Sequence, residues 1–372
     1  MKGVYRLLAI VLPSVLLSGC WDQQLLKDVQ IISTLGIDVT PQGKVQSTAS
    51  VLNVKKTETG NSEQAEIHSV ISKTLRDGRD VLNQEVPGLL TANKMNVLLL
   101  GEKVARQGIY PYIHVYYRDT RTAIDARVAV VKGDAREFVE MKKVDNKLVG
   151  EHLRNQIKAL EEVTIVPKVN IQTFFPVMLD PGQDIALPYL YKKEDKIVVR
   201  GIALFDGDRM SGELNKDESI LYLLLLDKKG KSAARLTPKI HGSKQAKVTD
   251  YISIDVKRVK RNMKVLVGEN RSITVQLRVQ LPVVAYEYAR DHLNEKRVVE
   301  ELNQTLSKEL TEQAKIVLQK MQKANHDGLG VGRYLIAFYP DTWKTLKWSE
   351  DYAKVVFEPQ VDVHIVGHGI LD

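Results

Sequence analysis

Residues 273–281 read ITVQLRVQL, and residues 294–324 read NEKRVVEELNQTLSKELTEQAKIVLQKMQKA. The first stretch alternates: Ile273, Val275, Leu277, Val279 and Leu281 share one face, while Thr274, Gln276, Arg278 and Gln280 share the other. A period of two marks a strand with one buried and one wet side. In the second stretch Leu302, Leu306, Leu310, Ala314, Leu318 and Met321 recur every three or four residues, with Glu and Lys filling the remainder. That stripe belongs to a helix resting on a core. At 1.5 Å per residue it extends roughly 45 Å. The two patterns together predict a helix laid across a sheet. A dimerising coiled coil is the competing reading, and it lacks a clean a/d heptad.

Upstream of that pair, Gly268–Arg271 reads as a turn and Ile252, Ile254 and Val256 as a further alternating strand; Val355–Val366 reads as the last strand. In the first half, Ile31–Val39 and Val45–Val54 read as strands around the Pro41-Gln42-Gly43 turn, and Thr57–Gln64 as a polar loop. The apolar positions of Ile67–Val86 fall near helical spacing. Lys94–Leu100 (KMNVLLL) and Arg127–Val131 (RVAVV) are short, strongly apolar runs, as in strands buried on both faces. Arg106–Tyr117, with Pro111 near its start, Ala135–Lys142 and Val149–Glu162 are predicted helices. Strands alternating with helices give mixed α/β layers.

The charged run Lys192–Lys196, with Pro188 nearby, is a candidate boundary. It divides the chain into a leader (1–19), an N-terminal α/β region (20–192) and a C-terminal α/β domain (197–372) with its helix at 294–324. The C-terminal domain opens with a strand, Ile197–Phe205, a turn region, Gly207–Gly212, and a buried helix, Asp217–Leu226. The fold class is α+β with mixed sheets.

Composition narrows the function. The chain has 372 residues, 44% apolar and 27% charged, as expected of a folded protein of two or three domains. Lys and Arg exceed Asp and Glu by 54 − 46 = 8. The one cysteine, Cys20, excludes an internal disulfide and any multi-cysteine metal centre. Its position is informative. Lys2 and Arg6 precede an uncharged stretch, Leu7–Gly19, that ends in Leu17-Ser18-Gly19-Cys20. About 13 residues cannot span a hydrocarbon core that needs about 20, but they suit the apolar region of a signal peptide. An apolar residue, two small residues and a cysteine form a lipobox. The thiol takes a diacylglycerol thioether, and Ser18 and Gly19 admit the peptidase that cuts after Gly19. The expectation is a lipid-anchored extracytoplasmic protein held by two or three acyl chains.

The sequence offers little sign of catalysis. It contains no HExxH, no DxDxDG loop, no phosphate-binding P-loop and no GxSxG elbow. His364 and His368 lie four apart on a predicted strand, about 13 Å from each other, too far for one metal. Glu161-Glu162 and Glu300-Glu301 read as solvated charges on helices. The glycines of Asp327–Gly332 (DGLGVG) follow a helix and read as its stop, with positive φ and close packing. Lys257–Arg261 is basic but lacks interleaved aromatics, so it suits an anionic lipid or protein surface better than nucleic acid. No catalytic residue, metal ligand or cofactor site is expected.

Three stretches together resemble the Ger(x)C spore germination lipoproteins. The first is Gly19-Cys20-Trp21-Asp22. The second is Lys73–Ala135, including Asn96–Ile109, Arg118-Asp119 and Lys132-Gly133-Asp134-Ala135. The third joins Val199–Phe205, Gly212-Glu213-Leu214 with Glu218-Ser219, Asp327–Gly332, Pro340–Trp343 and Trp348. Asn93-Lys94 and Gly332 depart from the family's usual residues. The resemblance implies an elongated protein of about three subdomains, anchored outside the spore inner membrane and assembled with two integral-membrane subunits into a nutrient germinant receptor. It implies a non-enzymatic scaffold role and leaves open whether this subunit touches the nutrient. Arg200, Trp343 and Trp348 are candidate interface or packing residues. The alternative is a substrate-binding lipoprotein of a transporter, with a ligand cleft between two lobes.

Overall fold

The structure, a computed structural model, describes residues 29–57, 60–119, 122–240 and 247–368. The described residues open with an antiparallel meander: β1 (Val29–Val39), β2 (Val45–Thr57) and β3 (Gly60–Ser72). The short β4 (Leu89–Thr91) and then β5 (Val97–Gly101) run parallel to β1. β6 (Arg127–Val131) lies parallel to β5. After a small hairpin, β7 (Lys143–Val144) with β8 (Lys147–Leu148), the chain adds β9 (Ala186–Lys193), β10 (Lys196–Asp206) and β11 (Arg209–Asn215). The resulting nine-stranded sheet has the order β11-β10-β9-β6-β5-β1-β2-β3, with β4 beside β1.

The apolar runs sit at its centre because helices cover both faces. Leu98, Leu100, Val128 and Val130 face helices 102–107, 110–118 and 171–178; Val97, Leu99, Ala129 and Val131 face helices 135–139 and 149–162. A strand wetted on neither side carries no polar alternation, which is why VLLL and RVAVV read as continuous apolar stretches. Helix Val149–Glu162 has the bounds its periodicity predicts.

The second sheet contains β12 (Arg235–Leu236), β13 (Ile252–Val256), β14 (Lys260–Val267), β15 (Ile273–Tyr288) and β16 (Val356–His368). β15 is its spine. One edge pairs antiparallel with β14 and then β13; the other pairs with β16 in parallel. The helix Lys296–Lys323 buries Leu302, Leu306, Leu310, Ala314, Leu318 and Met321 against this sheet, as the stripe predicts. It also seals an edge. Asn303 Oδ1, Ser307 Oγ and Thr311 Oγ1 accept the backbone N–H groups of Ile365, Val363 and Val361 at 2.8, 2.9 and 3.0 Å. Four helical residues rise about 6 Å and two strand residues about 6.6 Å, so side chains at i, i+4 and i+8 can serve alternate strand amides. An edge strand sealed in this way cannot recruit another strand.

Several expectations change. Thr57–Gln64 is largely strand rather than loop: Thr57 pairs with Gly60, and Gly60–Gln64 belongs to β3. The helical reading of Ile67–Val86 holds only for Leu75–Leu82, because Ile67–Ser72 is strand paired with β2. Arg106–Tyr117 splits into helices 102–107 and 110–118 at Gly108, whose φ of 120° no helix accommodates. Gly207–Gly212 narrows to a turn at Gly207, and β11 takes up the remainder. Pro188 lies within β9. The run Lys192–Lys196 is a hairpin turn between β9 and β10, with Glu194 at φ 53°, so the large sheet continues across that point. Glu161 is buried and held bidentately by Arg127 at 2.7 and 3.0 Å, rather than solvated.

Candidate functional site: the polar junction of the two sheets

The residues of DGLGVG form the centre of a buried polar cluster. The long helix ends at Ala324, and the chain turns through Asn325 at φ 49° and Gly330 at φ 73° into helix Val331–Phe338. Asp327 caps that helix. Its Oδ1 accepts from the Val331 N–H at 2.9 Å; its Oδ2 accepts from the Gly332 N–H at 2.7 Å and from the Trp348 indole at 3.1 Å. Gly332 is required by close approach: a Cβ there would lie 2.7 Å from Gly182 Cα and 2.8 Å from Trp348 Nε1.

The loop before β9 meets this turn. Asp184 accepts from the Asp327 N–H at 2.6 Å and the Gly207 N–H at 2.8 Å. Its own N–H donates to the Asp327 carbonyl at 3.0 Å, and the Arg333 N–H donates to the Gly182 carbonyl at 2.9 Å. Arg333 also pairs with Asp180 at 3.2 Å. A third connection runs through His326, which is fully buried. Its Nδ1 lies 2.7 Å from the Phe205 carbonyl and its Nε2 2.9 Å from the Tyr222 hydroxyl. A carbonyl only accepts, so Nδ1 carries a hydrogen. Burial lowers the imidazole pKa to about 4, so near neutral pH the ring is uncharged and Nε2 accepts from the Tyr222 hydroxyl.

Burial acts in the opposite sense on the acids. It raises Asp327 to about 7 and Asp184 to about 6, against the backbone N–H groups that pull each down. Each carboxylate already accepts from backbone N–H groups, so the cluster is built to hold backbone. It joins the β9–β11 edge of the first sheet to the long helix of the second through residues more than 100 positions apart.

The sequence-predicted residues fall around this junction. Trp348 donates to Asp327 and sits between Trp343, tilted at 56°, and Tyr352, edge-on at 65°, with ring centroids 5.5 Å apart on each side. Both tryptophans are half-buried and pack on the C-terminal core. Arg200 lies elsewhere, exposed and paired with Glu213 across β10 and β11 at 2.7 Å. Cys20 and Gly19 lie outside the described residues. Sequence reasoning missed Asp184, Tyr222 and His326; the only local signal was Asp327 at the head of the glycine cluster. Among the described residues no group of three or more His, Cys, Asp or Glu could hold a metal, and no helix is long and apolar enough to cross a membrane.

Comparison with known proteins follows this layout. Residues 22–192 match the family described as spore germination protein N-terminal domain, and residues 200–369 match the one described as spore germination B3/GerAC like, C-terminal. The chain is 22% identical to spore germination protein GerQC of Bacillus cereus, over 99% of each chain. It is also 22% identical to spore germination protein KC of Bacillus subtilis, over 92% of this chain and 90% of that one. The crystal structure of the GerBC protein superimposes with a TM-score of 0.58 at 17% identity, covering 89% of this chain and 96% of that one, which shows a shared fold.

Proposed function

The chain belongs to the spore germination B3/GerAC-like family, and from that premise we propose that it is the lipid-anchored C-type subunit of a nutrient germinant receptor. In this reading it acts as a non-enzymatic scaffold on the outer face of the spore inner membrane and docks onto two integral-membrane subunits. One observation carries the reading: both family domains occur in series, and the lipobox cysteine stands just ahead of them at position 20. Eight residues, 21–28, separate that cysteine from β1. Fully extended, the nine Cα-to-Cα steps from Cys20 to Val29 reach at most about 32 Å, so the folded body stays close to the lipid surface. Holding it there raises its effective concentration toward membrane partners without any new contact.

The test is detergent extraction of spore membranes followed by affinity capture of the full chain. Recovery of two polytopic partners is expected. Recovery of a transporter permease with its ATPase would overturn the proposal and favour a substrate-binding lipoprotein. Cys20→Ala should leave the leader uncut and abolish the lipid mass; unchanged processing at the same bond would refute the anchor.

A further inference from the structure

A cavity of about 130 Å³ lies between the β1–β2 face of the large sheet and helices Leu75–Leu82 and Tyr110–Arg118, far from the junction in sequence and composition. Its walls are apolar, with Leu35, Ala49, Leu82 and Leu90 contributing. A cavity of roughly 150 Å³ with such walls takes benzene, so this one suits a body of about six heavy atoms.

Two features distinguish it from a packing defect. The Ser47 hydroxyl lines it, is buried at 5% residue exposure, and has no hydrogen-bond partner. An unsatisfied buried hydroxyl is costly, so such a group in a native fold calls for a partner. The rim is also cationic. Arg76 and Arg79 line the cavity and face Asp119 at 3.7 and 3.4 Å. Charge-assisted bonds close to about 2.7–2.9 Å, as the Arg127–Glu161 pair does at 2.7 Å. These guanidiniums therefore approach Asp119 loosely. Each has five N–H donors, so several remain for an incoming anion. Together the three side chains carry a charge of +1.

We infer that this cavity binds a small monocarboxylate with a short apolar body, its carboxylate on Arg76 and Arg79 and a polar group within reach of Ser47. The inference concerns the chain alone and stands whatever the receptor reading becomes. A free carboxylic acid and an α-amino acid share this chemistry.

The experiment titrates the purified full chain with isovalerate, leucine and the neutral isovaleramide, followed by calorimetry and thermal shift. Saturable binding of isovalerate or leucine, with isovaleramide at least tenfold weaker, is expected; whichever acid binds tighter identifies the source. Arg79→Gln should weaken binding about tenfold or more, the scale of a hydrogen bond to a charged group. Ala49→Val, which fills the cavity on a strand that favours β-branched residues, should abolish binding while the melting temperature holds or rises. Equal binding of the amide, no saturation by either acid, or full affinity in folded Ala49→Val protein would each overturn the assignment.

Discussion

Replacing Asp327 tests the junction at its centre. The carboxylate accepts from the Val331 and Gly332 amides and the Trp348 indole at 2.9, 2.7 and 3.1 Å, and the residue is 1% exposed. A buried donor stripped of its acceptor costs about 1–3 kcal/mol. Asp327→Ala strands two backbone amides and releases an indole that can turn toward water, so the expected loss is about 2–6 kcal/mol, a large part of the roughly 5–15 kcal/mol that holds a domain together. Asp327→Asn keeps the volume. Its oxygen can replace Oδ2 and still accept from Gly332 and Trp348, while its NH₂ faces the Val331 N–H, giving a loss of about 1–3 kcal/mol. Trp348→Phe removes one donor and leaves the carboxylate two, costing about 1 kcal/mol. Because burial raises Asp327 to about 7, the series is best run near pH 8, where wild type is ionised. Urea denaturation read by far-ultraviolet circular dichroism gives the order, provided m is unchanged. If the alanine variant loses less than about 1 kcal/mol, or asparagine costs as much as alanine, the carboxylate is not what latches the two sheets.

The His326→Gln difference should depend on pH. Imidazole with a pKa lowered from 6.5 to about 4 contributes stability that is full above 6.5 and lost as pH falls through 4. The wild-type advantage should therefore shrink by up to about 3 kcal/mol over that window, and an advantage that grows on acidification would contradict the neutral tautomer. Asp327 and Asp184, raised to about 7 and 6, act oppositely. Their stabilisation is present below the ordinary carboxylate range and fades as pH rises, which is why the histidine effect must be read as a difference between variants. Leu310→Ala, at a fully buried position of the long helix, should cost about 2–5 kcal/mol by equilibrium denaturation. Gly332→Ala must push apart the Gly182 and Trp348 contacts and should lower stability by about 1–3 kcal/mol; an unchanged melting curve would show that the loops separate freely.

Readings that succeeded rest on local period. Leu302 through Met321 show their stripe because every third or fourth residue loses water to the same sheet. VLLL and RVAVV show none because both sides of their strands are covered. Errors arose where pairing overrides period. Ile67, Val70 and Ile71 have helical spacing, yet their backbone belongs to the outermost strand of the meander, where Ile71 is 56% exposed and no period is enforced. Pro188 beside the charged run reads as part of a break, yet it lies within β9, which pairs with a strand on each side.

From sequence alone came the α+β class, the long helix, the two central buried strands and the glycine stop after Asp327, because each leaves a trace within a dozen neighbouring residues. Tertiary structure alone decided that Asp184 meets Asp327 from 143 positions away and that Asn303, Ser307 and Thr311 seal β16. It alone enclosed Ser47 in a cavity beneath two arginines. A hydrogen bond depends on which atoms the completed fold brings within about 3 Å, and periodicity along a chain carries no record of that distance.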